Sequence, residues 1–301
     1  MELWYKWSVR VAEDDEDKVR FLGVPPLDFE LIIYYNGVMT DTINKLFDLI
    51  YNDQNQKIIS SHANPINRAG RKCFSQNEED GMTFEIIRRL GLAHGSFIEF
   101  GVSDGRENNT LALAALGWKG IWVGNECLCF TPNASENFRY YKQWISLSTL
   151  SQLMASIKKD TGIESPDIFS VDLDGNDIHI IADLLATGIK PKLWIAEYNA
   201  RFIPPIRFYQ AYNDNITWTG TDFFGASICS YIDLFKQYDY KLIATNAVSG
   251  SNAFFIHQDY IENFNDVPDD INVLYTPPRY FLYNNYGFPV DPQTVKTIIN
   301  R

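Results

Sequence analysis

The chain has 301 residues, 46% of them hydrophobic, which is enough for one large α/β domain with additions or for two small domains. Its formal net charge of −12 argues against a nucleic-acid partner, because phosphate backbones call for a cationic surface. No apolar run reaches membrane-spanning length, and Met1-Glu2-Leu3-Trp4-Tyr5 lacks the features of a signal peptide, so a soluble, cytoplasmic protein is expected.

In chain order, the first section reads differently from the rest. Glu13-Asp14-Asp15-Glu16-Asp17 is an acidic run that reads as a solvated face. A strand is predicted over 29–35. A helix is predicted over 42–51, with Ile43, Leu46, Phe47 and Ile50 at helical spacing. The polar stretch 52–71 reads as a linker. Residues 1–72 are therefore taken as an N-terminal extension, an added layer or a homo-oligomer contact. Residues 73–260 are taken as the main α/β domain, and the aromatic stretch 261–301 as a tail packed on it.

Regular alternation begins at Cys73. Ser75-Gln76-Asn77-Glu78 has the form of a capping box, followed by Met82, Ile86, Ile87 and Leu90 on one helical face. A strand follows at 96–100, then a Gly-rich turn and a helix ending at Gly117. Further strands are predicted at 120–124, 167–174 and 192–199, with helices at 150–158, 177–187 and 226–238. Closing strands at 240–245 and 253–257 suit an antiparallel edge. Alternating strands and helices predict a mostly parallel sheet with helices on both faces. The four cysteines (Cys73, Cys127, Cys129 and Cys229) form no C-x-x-C pair and read as free buried thiols, not a zinc site.

Phe97-Ile98-Glu99-Phe100-Gly101-Val102-Ser103-Asp104-Gly105 is the most telling stretch. Its Glu-x-Gly-x-x-x-Gly spacing departs from the dinucleotide fingerprint G-x-G-x-x-G. It matches what S-adenosylmethionine (AdoMet) binding asks for, namely backbone close to the donor and polar turn residues near its charged groups. Ligands of open α/β sheets bind beyond the strands' carboxyl ends, and here each strand ends in polar residues: Glu99 to Asp104, Asn125 and Glu126, Asp172 and Asp174, Glu197 and Asn199. Glu126, or Asn125 in part, is placed to accept from a ribose hydroxyl. Asp172-Leu173-Asp174 ends the predicted strand, and strand alternation puts both carboxylates on the same face. With Glu197 and Asn199 they would make an oxygen-rich site suited to Mg²⁺ or Mn²⁺. Asp172, Asp174 and His179 are the candidate bases. His179, among Ile178, Ile180 and Ile181, reads equally as a packing residue. Glu197, Asn199, Arg201 and Arg207 are candidates for acceptor contact, the arginines for phosphate.

Taken together, Ser75 to Asp80, Phe97 to Gly105, Gly117-Trp118-Lys119-Gly120-Ile121-Trp122-Val123, Ser170 to Asp177, Ile195 to Asn199, Gly225-Ala226-Ser227 and Gly250 to Phe255 resemble the FkbM-like AdoMet-dependent methyltransferases. The closest branch is the one found with bacterial capsule and surface-polysaccharide genes. The resemblance covers about residues 73–257. It implies a class I (Rossmann-like) methyltransferase fold and methyl transfer to an oxygen, often of a sugar. The substrate would be a nucleotide-linked sugar or a capsule or lipopolysaccharide precursor. By position, Gln76, Glu99, Gly101, Ser103, Asp104 and Gly105 would hold AdoMet. Two features depart from the pattern. Gly124-Asn125-Glu126 stands where a Glu-Gly-Asp type ending is usual, and no third strand is legible between Glu126 and Leu150. Two other readings compete: a metal-dependent glycosyltransferase using Asp172 and Asp174, and a non-catalytic member of the fold.

Overall fold

A computed structural model describes residues 53–130, 137–278 and 291–299, all within one unit, Asp53–Arg301. The predicted N-terminal strand and helix, the acidic run, and the tail aromatics Tyr280, Phe281, Tyr283, Tyr286 and Phe288 lie outside the described residues.

A seven-stranded sheet organises this unit. Its strands are β1 (Ser96–Phe100), β2 (Lys119–Gly124), β3 (Phe138–Lys142), β4 (Ile168–Val171), β5 (Leu193–Glu197), β6 (Tyr240–Thr245) and β7 (Asn252–His257). They lie in the order β3-β2-β1-β4-β5-β7-β6. β1 to β5 are parallel, and β7 is antiparallel to both β5 and β6. This is the class I α/β methyltransferase fold. β3, illegible in the sequence, is Phe-Arg-Tyr-Tyr-Lys, an edge strand with no fully buried residue. Without a buried face, no apolar alternation marks it.

The central strands carry the core. β4 and most of β1 and β5 are buried at successive positions, so both faces of the sheet are covered. Phe169 of β4 stacks on Trp194 of β5 at 4.7 Å and meets Phe100 of β1 edge-on at 4.9 Å. The helices between the parallel strands are α3 (Leu111–Ala115), α4 (Leu147–Thr161) and α5 (Asp177–Ala186), with α6 (Ile228–Lys236) leading into β6.

The segment read as a polar linker is structured. Residues 53–61 are helical, and α1 (Pro65–Arg68) follows, with Asn64 capping Ile66 N–H at 3.0 Å. Asn64 and Asn67 are buried, and their side-chain amides donate to the Ile243 and Thr245 carbonyls of β6, at 2.7 and 2.6 Å. Polar residues here do not mark solvent; they occupy carbonyls of the edge strand.

The capping box does not form. Helix α2 (Glu79–Arg89) begins after Glu78, whose own side chain makes no cap bond, while the Ser75 hydroxyl accepts from Asp80 N–H at 3.2 Å. Asp80 instead gathers the preceding turn: its Oδ2 accepts from the backbone N–H groups of Cys73, Phe74 and Ser75 and from the Ser75 hydroxyl. Glu78 turns inward and accepts from Val248 N–H at 2.9 Å.

All four cysteines are free, but only Cys229 is buried. At the C-terminus, α8 (Pro292–Ile299), which follows the short α7 (Ile271–Leu274), is tied to the β5–α6 segment through buried Asp222. The Asp222 carboxylate accepts from Asp291 N–H and from the Thr294 hydroxyl, each at 2.8 Å. No helix among the described residues is long and apolar enough to cross a membrane.

Candidate functional site

The carboxyl ends of β1, β2 and β4 open onto two adjoining cavities. The larger, of about 640 Å³, is lined by Gln76, Glu99, Arg106, Asn109 and Asn252 among others. The smaller, of about 210 Å³, is lined by Asn125, Glu126, Gln143, Trp144, Ile145 and Ile216 among others. Gly101, Ser103, Asp172 and Asp174 line both, so the two cavities share a wall and together form the cleft.

Gly101 is the hinge of this arrangement. Its φ is +88°, and a Cβ built there would lie 1.5 Å from the Asp172 carbonyl oxygen. Glycine is therefore demanded first by the close passage of the β4 loop, and room for a ligand comes second. Gly101 and Val102 both donate to the Val123 carbonyl, at 3.0 and 3.1 Å, which fixes the turn against β2.

Glu99 is buried beneath the turn. Its carboxylate accepts from Asn109 N–H at 2.8 Å, from Thr110 N–H at 3.1 Å and from the Thr110 hydroxyl. Burial pushes its pKa up to about 7, with the Thr110 and Asn109 bonds working the other way. Glu99 thus holds the start of the segment leading into α3. Asp104 pairs with Arg106, and its carbonyl accepts from Cys129 N–H at 2.8 Å. At the end of β2, the Glu126 carboxylate accepts from the Ser103 hydroxyl at 3.2 Å. The Glu126 backbone carbonyl accepts from the Tyr140 hydroxyl at 2.6 Å.

The loop after β4 differs from the expected extension of the strand. β4 ends at Val171, and Asp174 has a φ of +55°. The chain turns there, so Asp172 and Asp174 do not share a strand face. Asp177, the first residue of α5, clamps the turn by accepting from Leu173 N–H at 2.6 Å and Gly175 N–H at 3.0 Å. The acidic group that does converge is Asp172, Asp177 and Glu197, with one carboxylate oxygen of each within 4.8 Å of the others. Burial, then Asp174 and Asp177, drives the Asp172 pKa well above the carboxylate range. Burial, then Asp172 and Asp177, does the same to Glu197. Asp177 is pushed up to about 7, again chiefly by burial.

Several sequence candidates lie elsewhere. His179 does not line the cleft; its ring Nε2 is 2.7 Å from the Gln210 carbonyl, and it meets Tyr209 and Tyr212 edge-on. Its helix turns it toward the β5–α6 segment. Asn199 is buried and fully engaged. Its amide nitrogen donates to the Asp222 and Phe224 carbonyls, and its oxygen accepts from Arg201 N–H. Arg201 faces Asp222, with Nε 3.3 Å from Oδ2. Arg207 pairs with Asp233 on an exposed surface. Neither arginine lines the cleft.

Other cleft residues were not legible as such. Gln143, Trp144 and Ile145 follow the strand that the sequence did not reveal. Ile216 and Thr217 belong to the long β5–α6 segment. That segment is held over the smaller cavity by the Trp144 indole N–H donating to the Asp214 carbonyl at 2.7 Å and the Asn176 amide donating to the Asn213 carbonyl at 2.8 Å. Asp177 carried a signal, an acid at a helix start, but one indistinguishable from ordinary N-terminal charge.

No protein-family model matches the chain, and no curated protein does. Solved structures of similar topology exist. A Lactococcus lactis protein described as a hemolysin is 12% identical, at a TM-score of 0.37, over 62% of this chain and 89% of its own. The MycE methyltransferase of mycinamycin biosynthesis, in complex with Mg, S-adenosylhomocysteine and mycinamycin VI, is 13% identical at a TM-score of 0.36, over 58% of this chain and 48% of its own. The glycopeptide N-methyltransferase MtfA is 13% identical at 0.29, over 64% of this chain and 96% of its own. At these scores nothing about substrate or mechanism passes from those proteins to this chain.

Proposed function

We propose that this protein is an AdoMet-dependent O-methyltransferase whose acceptor is a sugar hydroxyl in a surface-polysaccharide precursor. One observation carries the reading. The Gly101 turn, the polar end of β2 and the β4 loop together line one cavity at the carboxyl edge of a class I sheet.

AdoMet, when bound, supplies a methyl group made electrophilic by its sulfonium sulfur. In this reading Asn125 and Glu126 receive the ribose, and Gln143 to Ile145 with Ile216 enclose the adenine in the smaller cavity. The Gly101–Gly105 turn and Gln76 face the methionine end. Asp172, at the junction of both cavities, takes the acceptor's proton as the oxygen attacks. The C–O bond forms as the C–S bond breaks, and the electron pair stays on sulfur. Holding the acceptor in line is the larger part of the chain's task, and proton removal the smaller. Asp174, beside Asp172 in the cleft, is the second candidate base. His179 is dropped from the role by its position. Arg201 and Arg207 are already paired with carboxylates, so the reading favours a sugar contacted through its hydroxyls over a nucleotide diphosphate gripped by those arginines. The turn at Asp174 disfavours the glycosyltransferase alternative, since it takes Asp172 and Asp174 off a common strand face.

The test is transfer of label from methyl-labelled AdoMet to a panel of methyl glycosides and to the nucleotide-linked forms of the same sugars. The expected result is a labelled methyl ether on at least one glycoside. Release of free nucleotide from a sugar donor without AdoMet would contradict the assignment.

A further inference from the structure

We propose, resting on the methyl-transfer reading, that Asn252 is a specificity-determining residue. Its side-chain oxygen receives a second hydroxyl of an uncharged sugar acceptor, at the β7 end of the larger cavity.

Asn252 opens β7 and is among the residues lining that cavity. It is only 3% exposed, and its polar groups are spent one after another. Its backbone N–H donates to Asn246 Oδ1 at 2.8 Å, and its carbonyl accepts from Asn246 N–H at 2.9 Å. Its amide nitrogen donates to Glu79 Oε1 at 3.1 Å. The amide oxygen alone has no hydrogen-bond partner. A buried acceptor left unpaired destabilises a fold, and a bound donor removes that cost.

Glu79 decides which atom is left over. It is fully buried at the start of α2, where its Oε2 accepts from Asn77 N–H at 2.8 Å while Oε1 faces Asn252. Carboxylate oxygens only accept, so the amide turns its nitrogen to Glu79 and leaves its oxygen for another partner. Asn252 is thus a lining residue that can accept and has no donor to spare.

The rest of the lining fixes the kind of ligand. Glu99, Asp172 and Asp174 add carboxyl oxygens to the same cavity, and Arg106, the cation among the described lining residues, pairs with Asp104. The cavity therefore offers acceptors to hydroxyls and no unpaired cation to a phosphate. The sheet fixes the place. Asn252 lies opposite Glu197 of β5, beyond β4 and β5 from the Gly101 turn and on the side away from β2 and β3. The donor in this reading runs from the ends of β2 and β3 to that turn, which leaves the β7 end to the acceptor. Asp172 follows β4, between the two, so a sugar that gives one hydroxyl to Asp172 can give another to Asn252.

The experiment titrates the full-length protein, saturated with S-adenosylhomocysteine, with the methyl glycosides of glucose, galactose and mannose. Each is compared with its monodeoxy analogues and its 6-phosphate, and binding is read by saturation-transfer difference NMR. At least one glycoside is expected to bind, and its phosphate more weakly. Loss of one particular ring hydroxyl should weaken wild-type binding about tenfold, as a site built around a hydrogen bond requires. Asn252→Ala should bind the parent glycoside about tenfold more weakly and be indifferent to that same deoxy change, as coupled partners are. Glu79→Gln leaves Asn252 in place but frees its amide to turn, so it should blunt the same discrimination, and it keeps the test alive where Asn252→Ala does not fold. Affinity for S-adenosylhomocysteine, read by calorimetry on the same proteins, should stay within about twofold, since the donor lies at the other end of the cleft. No glycoside binding by the donor-loaded wild type, or a deoxy penalty that both variants retain, overturns the role of Asn252. A flat S-adenosylhomocysteine titration of folded wild type overturns the methyl-transfer reading itself, and the role of Asn252 with it.

Discussion

Gly101→Ala is expected to destabilise the protein by about 3–5 kcal/mol, combining backbone strain with overpacking. The substitution meets two independent obstacles. The residue sits at φ +88°, where an L side chain is strained, and its Cβ would fall 1.5 Å from the Asp172 carbonyl oxygen. That neighbour is backbone, so no rotamer change relieves the contact. The loop after β4 must move away from β1, breaking the 3.1 Å bond from Asp172 N–H to the Phe100 carbonyl. Relief of strain and loss of the cleft are therefore the same event. Urea unfolding of wild type and variant measures the first. S-adenosylhomocysteine affinity of whatever folds measures the second. A variant with an unchanged unfolding midpoint would show that the two loops do not meet as described.

Asp172→Asn is expected to lower the rate of methyl transfer by about 10²–10⁴-fold, the range typical of a lost proton acceptor. Asparagine keeps the size of the side chain and one oxygen, so the loop after β4, clamped by Asp177, stays in place. Donor affinity should change only a few-fold. The informative comparison is the variant's turnover against its donor affinity. Loss of turnover alone identifies a group acting on the acceptor. Equal loss of both would make Asp172 a donor contact.

The sheet was largely legible because its inner strands are short apolar runs bounded by glycine and acidic residues. Phe97 to Phe100, Ile121 to Val123 and Leu193 to Ala196 each read as buried strand, and each is one. The outer parts were not. β3 exposes part of every side chain, and Asn64 and Asn67 look like loop residues until the carbonyls of β6 that they occupy are known. Their partners lie nearly 180 positions away, beyond any local pattern. In the cleft, the polar strand ends were visible, but their pairing was not. Asp172 and Asp174 were placed on one face by strand alternation, and that alternation stops at Val171. The chain turns at Asp174, and Asp177 takes the place expected for it. Asn199 and His179 looked available because spacing shows position along an element, not which backbone carbonyl will claim a side chain. The Ser75–Glu78 capping pattern misled for a similar reason, since Ser75 exchanges hydrogen bonds with Asp80 and Glu78 turns to Val248 N–H.

The central claim is that the cleft around Gly101 and Asp172 receives the sulfonium donor. Calorimetric titration of the full-length protein with S-adenosylhomocysteine tests it most directly. The account predicts saturable one-to-one binding that Gly101→Ala abolishes and Asp172→Asn largely keeps. A flat titration with folded wild-type protein would contradict it.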